Sequence, residues 1–335
     1  MTTLALTPER FRAALGVAAA AYLLATLAAP ALGSVDLDWG RALGERGSVD
    51  AEILFRARLP RVLMAGLAGG ALAVAGVAFQ AILRNPLASP FTLGVSGGSS
   101  LGAVLAIQLA GRATGIPWVP LASFTGALLV VVTVHGLARA RRHTSPVTLL
   151  LAGVVLNFIC ASLIQAIHYF ADLTQSFMMV RWMMGGLDVF EYATVGYLAP
   201  VVLAGVSLIW FQARQLNALS AGEEWARSRG VDVPRTLRRQ YFGASLLTGA
   251  VVAHSGPIGF VGLIVPHVMR LYLGADHRLL VPAAFLWGGA FLVACDTFAR
   301  IVLAPVELPV GIVTAVLGGP FFLWLLLMRR RELGF

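Results

Sequence analysis

The side chains best equipped for chemistry gather in one polar stretch between Gln212 and Tyr241, which holds six arginines. Within it, Glu223-Glu-Trp-Ala-Arg-Ser-Arg-Gly230 strings two carboxylates, an indole and two guanidiniums along a short helix that the glycine would end. Glu223, Glu224, Trp225, Arg227, Arg229 and Gly230 have the composition of a contact with another protein, charge for complementarity and an aromatic anchor. A solvated basic loop is the plainer alternative, and Trp225, a costly residue to leave in water, weighs against it. Two further sets lie in apolar surroundings. Asp296 and Arg300, four apart, can pair on a helix; a membrane-buried carboxylate could otherwise relay protons, but no second acidic residue lies at comparable depth. Asn157, Ala161, Gln165 and His168, spaced four, four and three, share one helical face, which must look toward a pore or a neighbouring helix.

Several chemistries are excluded. All 25 basic residues are arginine, so a nucleotide-binding phosphate loop, which needs a lysine, cannot be built; ATP and Mg would be used by a partner. There is no His-Glu-x-x-His and no convergent set of metal ligands, so the chain is expected to be no enzyme, with no metal or cofactor of its own. Cys160 and Cys295 lie far apart in apolar runs and read as packing residues. The formal charge of +9 does not indicate nucleic acid, because aromatic residues sit inside the apolar runs and do not alternate with the arginines.

These groups must be positioned by membrane-spanning helices. At 58% hydrophobic and 12% charged residues, the 335-residue chain cannot have a water-soluble surface throughout. A helix needs about twenty apolar residues to cross the hydrocarbon core, and on that measure residues 1–335 form a single all-α, polytopic membrane domain with about ten spans. They fall near 13–33, 62–83, 93–110, 118–138, 148–170, 192–211, 242–256, 258–275, 279–303 and 308–328. Ser255-Gly-Pro-Ile-Gly259 favours two helices over one between 242 and 275.

The first run imitates a signal peptide but is too long for the usual cleaved form and is expected to be retained. An even number of spans puts both termini on one side, together with most of the arginines, and the positive-inside rule makes that side cytoplasmic. Glycine and alanine stripes such as Gly66 to Gly76 are expected to pack helices closely. Met178, Met179, Met183 and Met184 suit a short interfacial helix beside the opposite mouth.

A set of segments in order, Arg58-Leu-Pro-Arg61, Gln80-Ala-Ile-Leu-Arg-Asn-Pro-Leu-Ala-Ser-Pro90, Leu93-Gly-Val-Ser96, Leu149-Leu-Leu-Ala-Gly153, Trp182-Met-Met-Gly-Gly186, Gly259 to His267, Asp276-His-Arg278 and Glu307-Leu-Pro-Val-Gly311, resembles the permease subunits of type II ABC importers for iron-siderophores, haem and cobalamin. The resemblance covers residues 50–330 and implies a ten-helix fold with an inverted pseudo-repeat. It implies a homodimer in the bacterial inner membrane, served by two cytoplasmic ATPase subunits and one extracytoplasmic binding protein, importing a metal-chelate by alternating access. The segment 212–241 then becomes the cytoplasmic ATPase-coupling loop. Thr144, Ser145, Pro146, Val147 and Thr148 become a cytoplasmic gate, although Thr-Ser-Pro is also an ordinary helix start. Arg58, Arg61 and Arg300 become docking residues for the binding protein, with headgroup anchoring and an Arg300–Asp296 pair as alternatives. An ion-coupled transporter acting without an ATPase is the competing function.

Overall fold

A computed structural model describes residues 7–45, 47–110, 118–140, 146–188 and 191–332. Helix α1 (Pro8–Ala28) starts on Thr7, whose hydroxyl accepts from the Arg10 N–H at 3.3 Å. Two short helices follow, α2 (Trp39–Gly44) capped by Asp38 and α3 (Val49–Glu52) capped by Ser48; a π-helical stretch over Ile53–Arg58 then leads into α4 (Leu59–Ile82). The chain continues through α5 (Val95–Ala110), α6 (Trp118–Ala140), α7 (Pro146–Phe170), the short α8 (Leu173–Met183) and α9 (Tyr192–Phe211). After α10 (Ala213–Ala221) and α11 (Glu223–Ser228) come α12 (Val233–Ser255), α13 (Val261–Leu273), α14 (His277–Ile301) and α15 (Val310–Glu332).

The ten apolar segments each coincide with a helix, and the run after Phe242 does split. Gly256, at φ 62°, ends α12 and lets its backbone approach the Trp182 carbonyl. The boundaries differ from hydropathy at two places. Helix α12 begins at Val233, so Arg235, Arg238 and Arg239 extend it beyond its apolar part. Helix α13 has 13 residues, about 20 Å at 1.5 Å per residue, which is less than the roughly 30 Å hydrocarbon core. It is a partial span. Among the described residues, six helices, α1, α4, α6, α7, α9 and α14, are long and apolar enough to cross unaided.

Helix α4 is the centre of the bundle and is buried along almost its whole length, against α14, α12, α13 and α9. Its composition explains why. A Cβ on Gly69 would lie 2.2 Å from the Gly288 carbonyl oxygen of α14, and one on Gly76 would lie 1.9 Å from that of Gly262 in α13. Backbones therefore touch where side chains would hold them apart, and the small-residue stripes are packing surfaces as expected. Helices α5 and α6 meet the same way at Gly98 and Gly126. Tyr22 of α1 lies against Gly66 and Gly289, so the first helix is part of the bundle. Cys160 and Cys295 are buried with free thiols.

Candidate functional site

Two polar assemblies occupy opposite ends of the α4–α14 pair. At the end formed by the C-terminus of α4 and the N-terminus of α14, α10 and α11 make a small platform. Leu216, Ala218 and Leu219 give α10 a buried face, and Ala218, Leu219, Ala226 and Val233 form a separate apolar cluster under α11. Gly222, at φ 132°, sets the corner between the two helices, and Gly230, at φ 76°, ends the second. The platform thus has a small apolar core of its own.

Trp225 stands on this platform 45% exposed, with the Arg229 guanidinium 4.6 Å from its ring centroid. It separates two open clefts of about 610 Å³ each. One is lined by Arg214, Asn217, Arg229, Arg235 and Arg239, the other by Arg84, Glu223, Glu224 and Arg227. Glu224, Arg227 and Arg229 are exposed. Glu223 is half-buried; it pairs with Arg84 at the end of α4 and lies 3.6 Å from Arg227. Its role within the chain is to hold α11 to α4.

Asp276, Asn217 and Trp210, none of them singled out from sequence as site residues, complete this end. Trp210 donates its indole N–H to the Arg278 carbonyl at 2.9 Å. Burial opposes ionisation of Asp276, but hydrogen bonds from Arg278 and Asn217 and from the Arg278 N–H outweigh it and bring the carboxyl down to about 2. With the folded value depressed, its contribution to stability is complete above the ordinary carboxylate value and is lost as pH falls toward 2. The contact is therefore constant across the neutral range.

At the opposite end Asp296 lies between two guanidiniums. Arg61 approaches it at 2.9 Å and Arg300 at 3.2 Å, while Arg61 also reaches Glu307 at 2.6 Å and Asp188 at 3.8 Å. Arg300 further donates to the carbonyls of Leu32 and Ala29, and Arg58 to those of Pro30 and Val35. The i,i+4 pair read from sequence is present, and Arg61 adds a third member. Arg58, Arg61 and Arg300, expected as docking residues, are 6%, 8% and 3% exposed, and most of their donors are directed to carboxylates and carbonyls of this chain. Desolvating them without such partners would be too costly. Around this network three of the sequence segments converge, because Gly186 donates to the Ser255 carbonyl and Gly311 to that of Gly185.

Helix α7 packs Leu149, Gly153, Cys160 and Ile164 against its neighbours. Asn157, Ala161 and Gln165 are exposed on the flank of that face and His168 is half-buried, so the four do share a side. Asn157 sits close to Gly97 of α5, its side-chain oxygen 2.2 Å from where a Cβ there would stand. None of the four makes a side-chain hydrogen bond to another helix among the described residues. In the gate segment, Thr144 and Ser145 lie outside the described residues; Pro146 opens α7, Val147 is exposed and Thr148 half-buried.

The relatives of this chain give the class of this arrangement, the permease subunit of an ATP-binding cassette importer. The profile of the FecCD transport family matches residues 19–328, and the chain belongs to that family. It is 44% identical over 279 residues to the cobalamin import system permease of Halobacterium salinarum, covering 82% of this chain and 73% of that one. It is 39% identical over 322 residues to the hemin transport system permease of Yersinia pestis, covering 93% and 96%. A solved metal-chelate type ABC transporter in an inward-facing conformation superposes with a TM-score of 0.82 at 28% identity, covering 94% of this chain and 99% of that one. ATP hydrolysis in this family belongs to a separate partner subunit, and a substrate-binding partner is likewise implied.

Proposed function

We propose that this chain forms a homodimer in the bacterial inner membrane, both termini cytoplasmic, and imports a metal-chelate of the iron-siderophore, haem or cobalamin class. The reading is supported by the names of the relatives and by the arginine content of the α10–α11 end. Two ATPase subunits, using ATP and Mg, dock on the platform around Trp225; this chain binds no cofactor itself. One binding protein docks at the other end, on the surface that Arg58, Arg61 and Arg300 support from beneath. Asn157, Ala161, Gln165 and His168 face the path between the two copies, where polar groups meet water, and residues 144–148 close it on the cytoplasmic side. The competing ion-coupled mechanism is not favoured, because Asp296, the carboxylate it would use, is held by two guanidiniums.

The observation that carries the coupling assignment is Trp225, a large exposed aromatic standing between two clefts on a prefolded platform. Glu224→Arg with Trp225→Ala changes only exposed groups and spares the Glu223–Arg84 pair. Loss of an aromatic anchor and reversal of a rim charge are together expected to weaken ATPase binding at least thirtyfold, about 2 kcal/mol. Titration of the partner ATPase onto the permease in nanodiscs measures it. Unchanged affinity would remove this platform from the interface.

A further inference from the structure

Among the described residues, the α10–α11 platform is joined to the α4–α14 pair at two polar points, and one of them is a closed three-residue motif. Asn217, half-buried on α10, donates its amide N–H to the Asp276 carboxylate at 2.8 Å. Its own oxygen accepts the His277 backbone N–H at 2.8 Å and lies 2.7 Å from His277 Nδ1. One amide therefore uses its donor and its acceptor at once, on the N-cap and the first residue of α14. His277 is 2% exposed, and the carbonyl-type acceptor fixes its proton on Nδ1. The same Asp276 oxygen also caps α14 through the Arg278 N–H at 3.0 Å.

This placement has mechanical consequences. Helix α14 is closed on α4 by the Gly69–Gly288 approach, and the two share Asp296 and Arg61 at their far end. A displacement of α10 is thus delivered through a short, directional hydrogen-bond set to a rigid helix pair. The second point, Glu223 to Arg84, ties α11 to the other member of that pair. We propose that Asn217 is the positioning residue that transmits movement of the platform to α14 and so to the far end of the bundle. This rests on the ATPase-coupling reading above.

The test exploits the polarity of the motif in the reconstituted complex of permease, partner ATPase and binding protein. Asn217→Asp turns a donor into an acceptor facing the Asp276 carboxylate, whereas Asn217→Asp with Asp276→Asn restores one donor and keeps an Asn cap on α14. The single variant is expected to lower substrate taken up per ATP hydrolysed at least tenfold at saturating partner ATPase, with a melting temperature close to the parent's. The double variant is expected to return the ratio to within about threefold. Where Asn217→Asp does not fold, Asn217→Ala, which deletes all three contacts without adding charge, carries the same expectation. A parental ratio in the folded single variant overturns the proposal. So does a loss that tracks melting temperature or ATPase affinity and ignores the swap, which marks a structural contact only. If ATPase binding also survives the Glu224 and Trp225 changes, the coupling reading itself falls; if those changes abolish binding while Asn217→Asp stays coupled, only the Asn217 role falls.

Discussion

Asp296→Leu is expected to cost about 3–5 kcal/mol of stability, more than removal of either arginine that it holds. The wild-type carboxylate is 1% exposed and balances Arg61 and Arg300 together. Its loss leaves two buried guanidiniums facing each other, one of them retaining Glu307, with Coulomb repulsion and unpaired N–H donors both uncompensated. Arg61→Leu, by contrast, leaves Asp296 with Arg300. Thermal unfolding of the purified variants in one detergent should order them Asp296→Leu well below Arg61→Leu, and Arg61→Leu below wild type. Equal melting temperatures for the two variants would show that the network is not held by its carboxylate.

Gly76→Leu is the second large expected effect. The added Cβ would stand 1.9 Å from the Gly262 carbonyl oxygen, a backbone atom that no rotamer change can move, so α4 and α13 must separate along their length. The cost should reach or exceed the roughly 3 kcal/mol upper range of ordinary overpacking. Gly196→Leu supplies the control, since nothing lies within 4 Å of its added Cβ. Yield of monodisperse protein by size exclusion should collapse for the first variant and hold for the second. A normal yield for Gly76→Leu would contradict the close helix approach.

The helices were legible because a membrane writes them into hydropathy: each of the ten apolar segments is a helix, and Ser255-Gly-Pro-Ile-Gly marks the break between α12 and α13. That Trp225 lies on a short helix in polar surroundings was legible from the charged residues on either side of it. The pairing of Asp296 with Arg300 followed from helical spacing alone. What sequence could not supply was pairing across distance. Arg61 finds Asp296 235 residues away and Glu307 246 away, and no local pattern distinguishes it from a surface arginine. The partner of Glu223 within the chain, Arg84, likewise lies 139 residues away. Nothing local separates Asn217 from Gln215 on the same helix, and its partners lie 59 and 60 residues on. The shortness of α13 was hidden by the apolar residues that flank it on both sides.

The central claim is that this chain moves a metal-chelate only when a separate ATPase drives it. Proteoliposomes containing the permease with or without its ATPase, supplied with the binding protein loaded in turn with a ferric siderophore, haem or cobalamin, test it most directly. The account predicts uptake of one chelate class that requires both the ATPase and Mg-ATP on the platform side, and that does not change when a proton or sodium gradient is imposed. Uptake by the permease alone, driven by such a gradient with the ATPase absent, would contradict it.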